Sequence, residues 1–185
     1  MKTMAWFKFM LTSESDHVAD LTILAPVSGV ILPIEDVPDV VFSEKIIGDG
    51  VAIQPSSGTV VAPCKCTVRE MFNTRHAVVL RTESYGIELF IHVGIDTVDL
   101  AGEGFTSSVA EGDLLSPGDP IIKFDLKGIQ KTKTLITPVV ISSQNNAVIK
   151  TIEKLSGNCE AGVTPIIKID IDKEATKKAQ QPSGR

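Results

Sequence analysis

The stretch Ile87-Glu-Leu-Phe-Ile-His-Val93 decides the fold. Its apolar residues alternate: Ile87, Leu89, Ile91 and Val93 share one face, and Glu88, Phe90 and His92 share the other, as the two-residue repeat of a strand requires. An unbroken aliphatic row of this kind belongs against a core. His92 then emerges on the far face beside an aromatic ring.

Moving outward, Leu80-Arg-Thr-Glu-Ser-Tyr-Gly-Ile87 reads as a hairpin loop joining this strand to one before it. Antiparallel partners in a hairpin share a constant sum of residue numbers, so the parity of the loop decides where His76 falls relative to His92. With Ser84 at the centre of an odd loop, His76 stands opposite His92 with Cβ atoms about 4.5–5.5 Å apart. With an even loop the two rings point to opposite faces. A three-residue loop with a left-handed position suits Gly86, and we expect the odd loop.

The same rhythm runs through the chain. Short β-rich runs cover Leu21–Leu24, Val30–Leu32, Val40–Phe42, Val51–Ile53, Thr59–Val61, Thr67–Met71, Ala77–Leu80, Ile121–Phe124, Pro138–Ile141 and Pro165–Ile171. Turn residues separate them, as at Gly48-Asp-Gly50, Ser57-Gly58, Ser116-Pro-Gly118 and Gly157-Asn158. The reading is all-β: an antiparallel sandwich or partly closed barrel with short helical turns. Leu126–Thr132 and Ala147–Leu155 resemble helical turns, the second through a Val148, Ile152, Leu155 stripe with Asn145 or Asn146 as its cap. Ala25-Pro-Val-Ser-Gly-Val-Ile31 is echoed by Ala62-Pro-Cys-Lys-Cys-Thr-Val68, each an Ala-Pro corner turning into a strand, which points to a duplicated motif.

Composition narrows the function. A chain of 185 residues with 43% hydrophobic and 22% charged residues and a mean hydropathy of +0.17 has enough apolar surface for a core. A net charge of −5 repels a phosphate backbone, so nucleic-acid binding is set aside. Cys64, Cys66 and Cys159 form neither a zinc-ribbon spacing nor a secretory framework, which favours a reducing cytoplasm. Residues 1–20 read as a flexible leader: Met4, Phe7, Met10 and Leu11 lie at helical spacing with Trp6 and Phe9 beside them, giving at most weak contact with a membrane surface. The apolar run there is too short to span a bilayer. Residues 21–171 form one domain, and 172–185 read as a solvated tail.

His17 lies in the polar leader, so His76 and His92 carry the argument about chemistry. Two imidazoles side by side on an apolar face suit a phosphoryl relay: one neutral nitrogen attacks phosphorus while its neighbour donates N–H to the phosphoryl oxygens. Phe42, Phe72, Phe90 and Val98 form an apolar rim that excludes water, the competing acceptor. No cofactor is required. Two histidines, even with Asp96, fall short of the usual zinc set, so zinc is admitted only where a partner supplies the missing ligand. Cys64 and Cys66 share a strand face and read as buried thiols. No Gly-rich phosphate loop, Gly-x-Ser-x-Gly elbow or His-Glu-x-x-His helix occurs.

Val37-Pro-Asp-Val-Val-Phe-Ser-Glu-Lys-Ile-Ile-Gly-Asp-Gly50, Asn73-Thr-Arg-His-Ala77, Glu88-Leu-Phe-Ile-His-Val-Gly-Ile-Asp-Thr-Val98 and Gly102-Glu-Gly-Phe105 resemble the glucose-type enzyme IIA of the bacterial phosphoenolpyruvate-dependent sugar phosphotransferase system. The resemblance continues through Leu135-Ile-Thr-Pro-Val-Val-Ile-Ser142 and Lys154-Leu-Ser-Gly157. It implies a β-sandwich in which His92 is phosphorylated at Nε2 by phospho-HPr, His76 assists, and the chain passes the group to a sugar-specific IIB domain. It further implies a hydrogen bond from Thr74 to His76, partner contacts through Asp39 and Asp96, and an apolar floor of Phe42 and Phe90. Regulatory binding of transporters or metabolic enzymes by the unphosphorylated form follows from the same resemblance. Arg75 departs from the Asn of the enterobacterial Thr-Asn-His version, and its cation either stabilises a phosphoryl group or faces solvent. The competing reading, a biotinyl or lipoyl carrier, rests on the Ala-Pro-x-x-Gly corner, but Lys45 and Lys65 lack the expected hairpin-tip context.

Overall fold

The computed structural model describes residues 19–143 and 148–174. The leader, most of the tail and the Asn145/Asn146 cap lie outside the described residues. No described helix is long and apolar enough to cross a membrane.

Fourteen strands are described: β1 (Leu21–Leu24), β2 (Gly29–Pro33), β3 (Gly48–Pro55), β4 (Thr59–Val61), β5 (Cys66–Met71), β6 (Ala77–Thr82), β7 (Glu88–His92), β8 (Phe105–Ser107), β9 (Leu114–Leu115), β10 (Pro120–Phe124), β11 (Thr137–Ser142), β12 (Ile149–Lys154), β13 (Gly157–Cys159) and β14 (Pro165–Ile171). They form one eight-stranded sheet, β13-β2-β3-β11-β7-β6-β5-β9, and two three-stranded sheets, β1-β14-β12 and β4-β10-β8. All pairs are antiparallel. The small sheets and the inner face of the large one share a single core, in which Ile23, Ile167 and Ile169 meet Val60, Ile122 and Phe124 and the inward row of Val51, Ile53, Leu89 and Ile91. Each such side chain contributes roughly 1.5–3 kcal/mol on burial. The expected antiparallel sandwich is therefore present, without a closed barrel among the described residues.

The sequence echo at the two Ala-Pro corners is a spatial one. Leu24 N–H donates to the Pro63 carbonyl while Val61 N–H donates to that of Pro26. Ala25 exchanges backbone bonds with Thr164 and Gly162 just as Ala62 does with Asp119 and Gly118. The large sheet has matching order from either end: β13, β2, β3 and β11 correspond to β9, β5, β6 and β7. One repeat is β4 to β10; the other is β1 to β3 with β11 to β14. Under this pairing Ala77 opposite His92 corresponds to Gly48 opposite Ser142.

Three sequence expectations are corrected. Val40–Phe42, read as a strand, lies in a one-turn helix, α1 (Val40–Ser43). Its β-branched valines favour a strand, but the Asp39 carboxylate accepts a 2.7 Å bond from Val41 N–H and caps the helix, and Phe42 turns into the sheet. Ala147–Leu155, read as helical, contains β12. A bulge between Ile149 and Thr151 lets both Ile149 and Ile152 face core residues of β14, Ile171 and Ile169. That three-residue spacing imitates a helical stripe. The other helical reading holds: α2 (Leu126–Ile129) is capped by Asp125, whose carboxylate accepts from Gly128 N–H.

The third correction concerns register. In the β6–β7 pairing Arg81 stands opposite Glu88 and Ala77 directly opposite His92, the register of an even loop. The odd loop is therefore wrong. The rings nevertheless meet, for a reason outside the parity argument. β6 begins at Ala77, and His76 leaves a turn in which Arg75 has φ 54°. The pleat does not govern a side chain placed before the strand.

Candidate active site

The site lies on the outer face of the large sheet, between the connection from β2 to β3 and the connection from β5 to β6. The first carries α1 and a one-turn 3-10 helix at Ile34–Asp36; it packs Ile34, Val37 and Phe42 against Ala52, Val140 and Ile95 in a second, smaller core. The second carries Phe72, Thr74 and His76. β7 runs between them and delivers Phe90 and His92, half-buried, while Leu89 and Ile91 point inward and are fully buried.

His76 and His92 lie edge to face, with ring centroids 4.7 Å apart and planes at 81°. Ala77, the paired residue across from His92, brings only a methyl group to this region. Aromatic side chains wall the pair: Phe42 and Phe90 approach His92 to 5.6 and 5.8 Å, and Phe72 approaches His76 to 5.7 Å. Phe90 also contacts Phe42 and Phe72 and so closes the floor. Val98, in a 3-10 turn at Thr97–Leu100, is exposed.

Hydrogen bonding distinguishes the two rings. His92 Nδ1 lies 2.6 Å from the Gly94 carbonyl, which can only accept; Nδ1 therefore carries the proton and Nε2 keeps its lone pair. Gly94 is held at φ 75°, a conformation glycine adopts without penalty, and a Cβ there would meet the Thr134 carbonyl at 2.7 Å. His76 Nδ1 lies 2.5 Å from Thr74 Oγ1. A hydroxyl serves in either sense, so this bond orients the ring without by itself choosing its tautomer.

Electrostatics keep both rings neutral near pH 7. Burial and, second, the neighbouring His92 lower the pKa of His76 to about 4. Burial also lowers that of His92, opposed by the Gly94 carbonyl and the Asp39 and Asp96 carboxylates. Asp39 caps α1, and Asp96 is exposed with φ 56°.

The structure thus gathers His76, His92, Thr74, Phe42, Phe72 and Phe90 and sets the Asp39 and Asp96 carboxylates near His92, while Val98 lies exposed in the turn that follows β7. Val40, Val41 and Ile46 were not singled out, yet they are exposed apolar side chains on the same connection as Asp39 and Phe42. Reading 40–42 as a strand hid Val40 and Val41. Gly94 was missed as the acceptor for His92; the signal available was a glycine two residues after the histidine. Beyond Phe90, a second hollow of about 450 Å³ is lined by Ile46, Ile47, Arg69, Glu88 and Ser142 among others, and it contains neither histidine. No set of three or more His, Cys, Asp or Glu side chains among the described residues is grouped to hold a metal ion. Cys64, Cys66 and Cys159 are buried free thiols.

Comparison of the sequence and the fold with known proteins places the chain in a class of sugar-transport component. Residues 21–147 match the family described as phosphoenolpyruvate-dependent sugar phosphotransferase system, EIIA 1. The chain is 44% identical over 165 residues to the PTS system glucose-specific EIIA component of Haemophilus influenzae, covering 89% of this chain and 98% of that one. It is 50% identical over 146 residues to the protein of that name from Buchnera aphidicola, covering 78% and 89%. The solved glucose permease IIA from Mycoplasma capricolum superimposes with a TM-score of 0.71 at 33% identity, covering 80% of this chain and 94% of that one. The chain belongs to the glucose-type EIIA family of phosphotransferase components.

Proposed function

We propose that the protein is a phosphocarrier that receives a phosphoryl group on His92 Nε2 from phospho-HPr and delivers it to the IIB domain of a sugar permease. The observation that carries this reading is the pairing of the rings at 4.7 Å with His92 Nδ1 bound to the Gly94 carbonyl. The free pair of Nε2 attacks phosphorus; the P–N bond to the donor imidazole breaks as the new one forms, and the donor ring leaves with its electron pair. His92 gains positive character, which the Gly94 carbonyl and the Asp39 and Asp96 carboxylates stabilise. With Thr74 Oγ1–H donating to Nδ1, His76 carries its proton on Nε2 and offers it to the phosphoryl oxygens. Transfer onward reverses these steps. The transfer so drawn requires no metal or cofactor at either ring.

Phe42, Phe72, Phe90 and Val98 exclude water once a partner docks, and Asp39 and Asp96 meet partner cations, which gives steering and register more than affinity. Val40, Val41 and Ile46 extend this surface. Unphosphorylated, the same surface binds regulated transporters or metabolic enzymes, and the phosphoryl dianion expels them. The setting is the cytoplasm. The carrier-lysine reading loses support because Lys45 is engaged with Glu35 at 2.7 Å and Lys65 with Glu83 at 3.2 Å.

Incubation with phosphoenolpyruvate, enzyme I and HPr tests the assignment. His92→Gln should take no label, and His76→Gln should take label but pass it poorly to IIB. Equal labelling of His92→Gln and wild type would overturn it.

A further inference from the structure

We propose that Arg75 is a specificity-determining cation at the lip of the site, pairing with a carboxylate of the protein that docks over the two rings. The inference rests on the relay reading above and adds a partner contact to it. Arg75 lies between Thr74, which orients His76, and His76 itself. Its backbone N–H closes the turn onto the Phe72 carbonyl at 2.7 Å, and its φ is 54°. Long side chains are disfavoured in that region, whereas Asn and Gly accept it readily. A positive charge therefore occupies a position where a smaller neutral residue would suit the backbone better.

Among the described residues no ion pair engages this side chain. Its exposure leaves the charge open to a docking partner. With Asp39 and Asp96 near His92 and Arg75 beside His76, the lip carries both signs. A docked protein is read by two acids and one base, and the forked donor of arginine suits a carboxylate.

The test uses Arg75→Asn and Arg75→Glu in the full chain, with initial rates of transfer from phospho-HPr and to IIB. Arg75→Asn should unfold at the same temperature as wild type or higher. Its KM for one of the two partners should rise roughly two- to fivefold with kcat unchanged, the range of an exposed ion pair. Arg75→Glu should raise that KM further, and both differences should shrink at about 0.5 M salt. Unchanged KM for both partners in both variants overturns the inference. So does a shortened lifetime of the phosphorylated form with KM unchanged, which would place the guanidinium on the phosphoryl group. Failure of the relay itself would show in the wild type, which would then take no label, whereas failure of this inference leaves the wild type fully active.

Discussion

The lowered pKa of His76 ties the site to the stability of the whole molecule, and it can be measured without any partner. The ring is 4% exposed and titrates at about 4, against 6.5 for a free histidine. As pH falls through this window the unfolded chain takes up the proton first, so stability is full above about pH 6.5 and is lost progressively towards pH 4. At about 1.4 kcal/mol per pH unit the complete loss is about 3 kcal/mol, with about 2 kcal/mol gone by pH 5. Urea unfolding of wild type and His76→Gln at pH 7, 6, 5 and 4.5 reads this contribution together with its coupling to His92, since the remaining titrating groups are common to both proteins. The wild type should lose about 2 kcal/mol more than the variant between pH 7 and 5, on the order of 1 M in the urea midpoint. Proton NMR of the imidazole Cε1–H gives an independent value. A His76 titration near 6.5, with parallel stability curves for the two proteins, would refute the account of a desolvated, neutral ring.

Other outcomes follow from the same geometry. Gly94→Ala forces a left-handed backbone onto alanine and drives its Cβ against the Thr134 carbonyl, so denaturant unfolding should show a loss of at least about 1–2 kcal/mol, and label uptake should fall as the acceptor for His92 Nδ1 shifts. Thr74→Val should leave labelling of His92 intact but mix the His76 tautomers, seen in ¹⁵N chemical shifts, and slow delivery to IIB. Phe42→Ala, which opens both the floor of the site and the smaller core, should cost about 3–5 kcal/mol in unfolding measurements. The label itself should vanish in mild acid and survive alkali, as a phosphoramidate does; the reverse pattern would indicate an acyl or serine ester.

Much of this was legible in the residues, and the failures have physical reasons. β7 could be read face by face because a strand buried on one side must alternate, and Ile87 to Val93 do. The meeting of the histidines was anticipated for the wrong reason. Loop parity was argued as though His76 belonged to β6, but a left-handed Arg75 releases it from the pleat. Val40–Ser43 went astray because local β propensity was outweighed by one capping carboxylate and one buried ring. At β12 a bulge created a false period. The acceptor for His92 is a main-chain carbonyl, and a carbonyl carries no residue-type signature.

The two-repeat architecture has a further consequence. Both imidazoles come from the stretch between β4 and β10, whereas Asp39 and Phe42 come from the stretch that contains β2 and β3. β7 finds its second neighbour, β11, only across the boundary between repeats. Severed from its mate, either half would expose a bare sheet edge and an unfinished cavity, and could satisfy both only by associating with a second molecule. A fragment ending before Thr137, which leaves β3 and β7 without β11 between them, should likewise oligomerise or collapse, while mixing it with the complementary fragment should restore the intact scaffold.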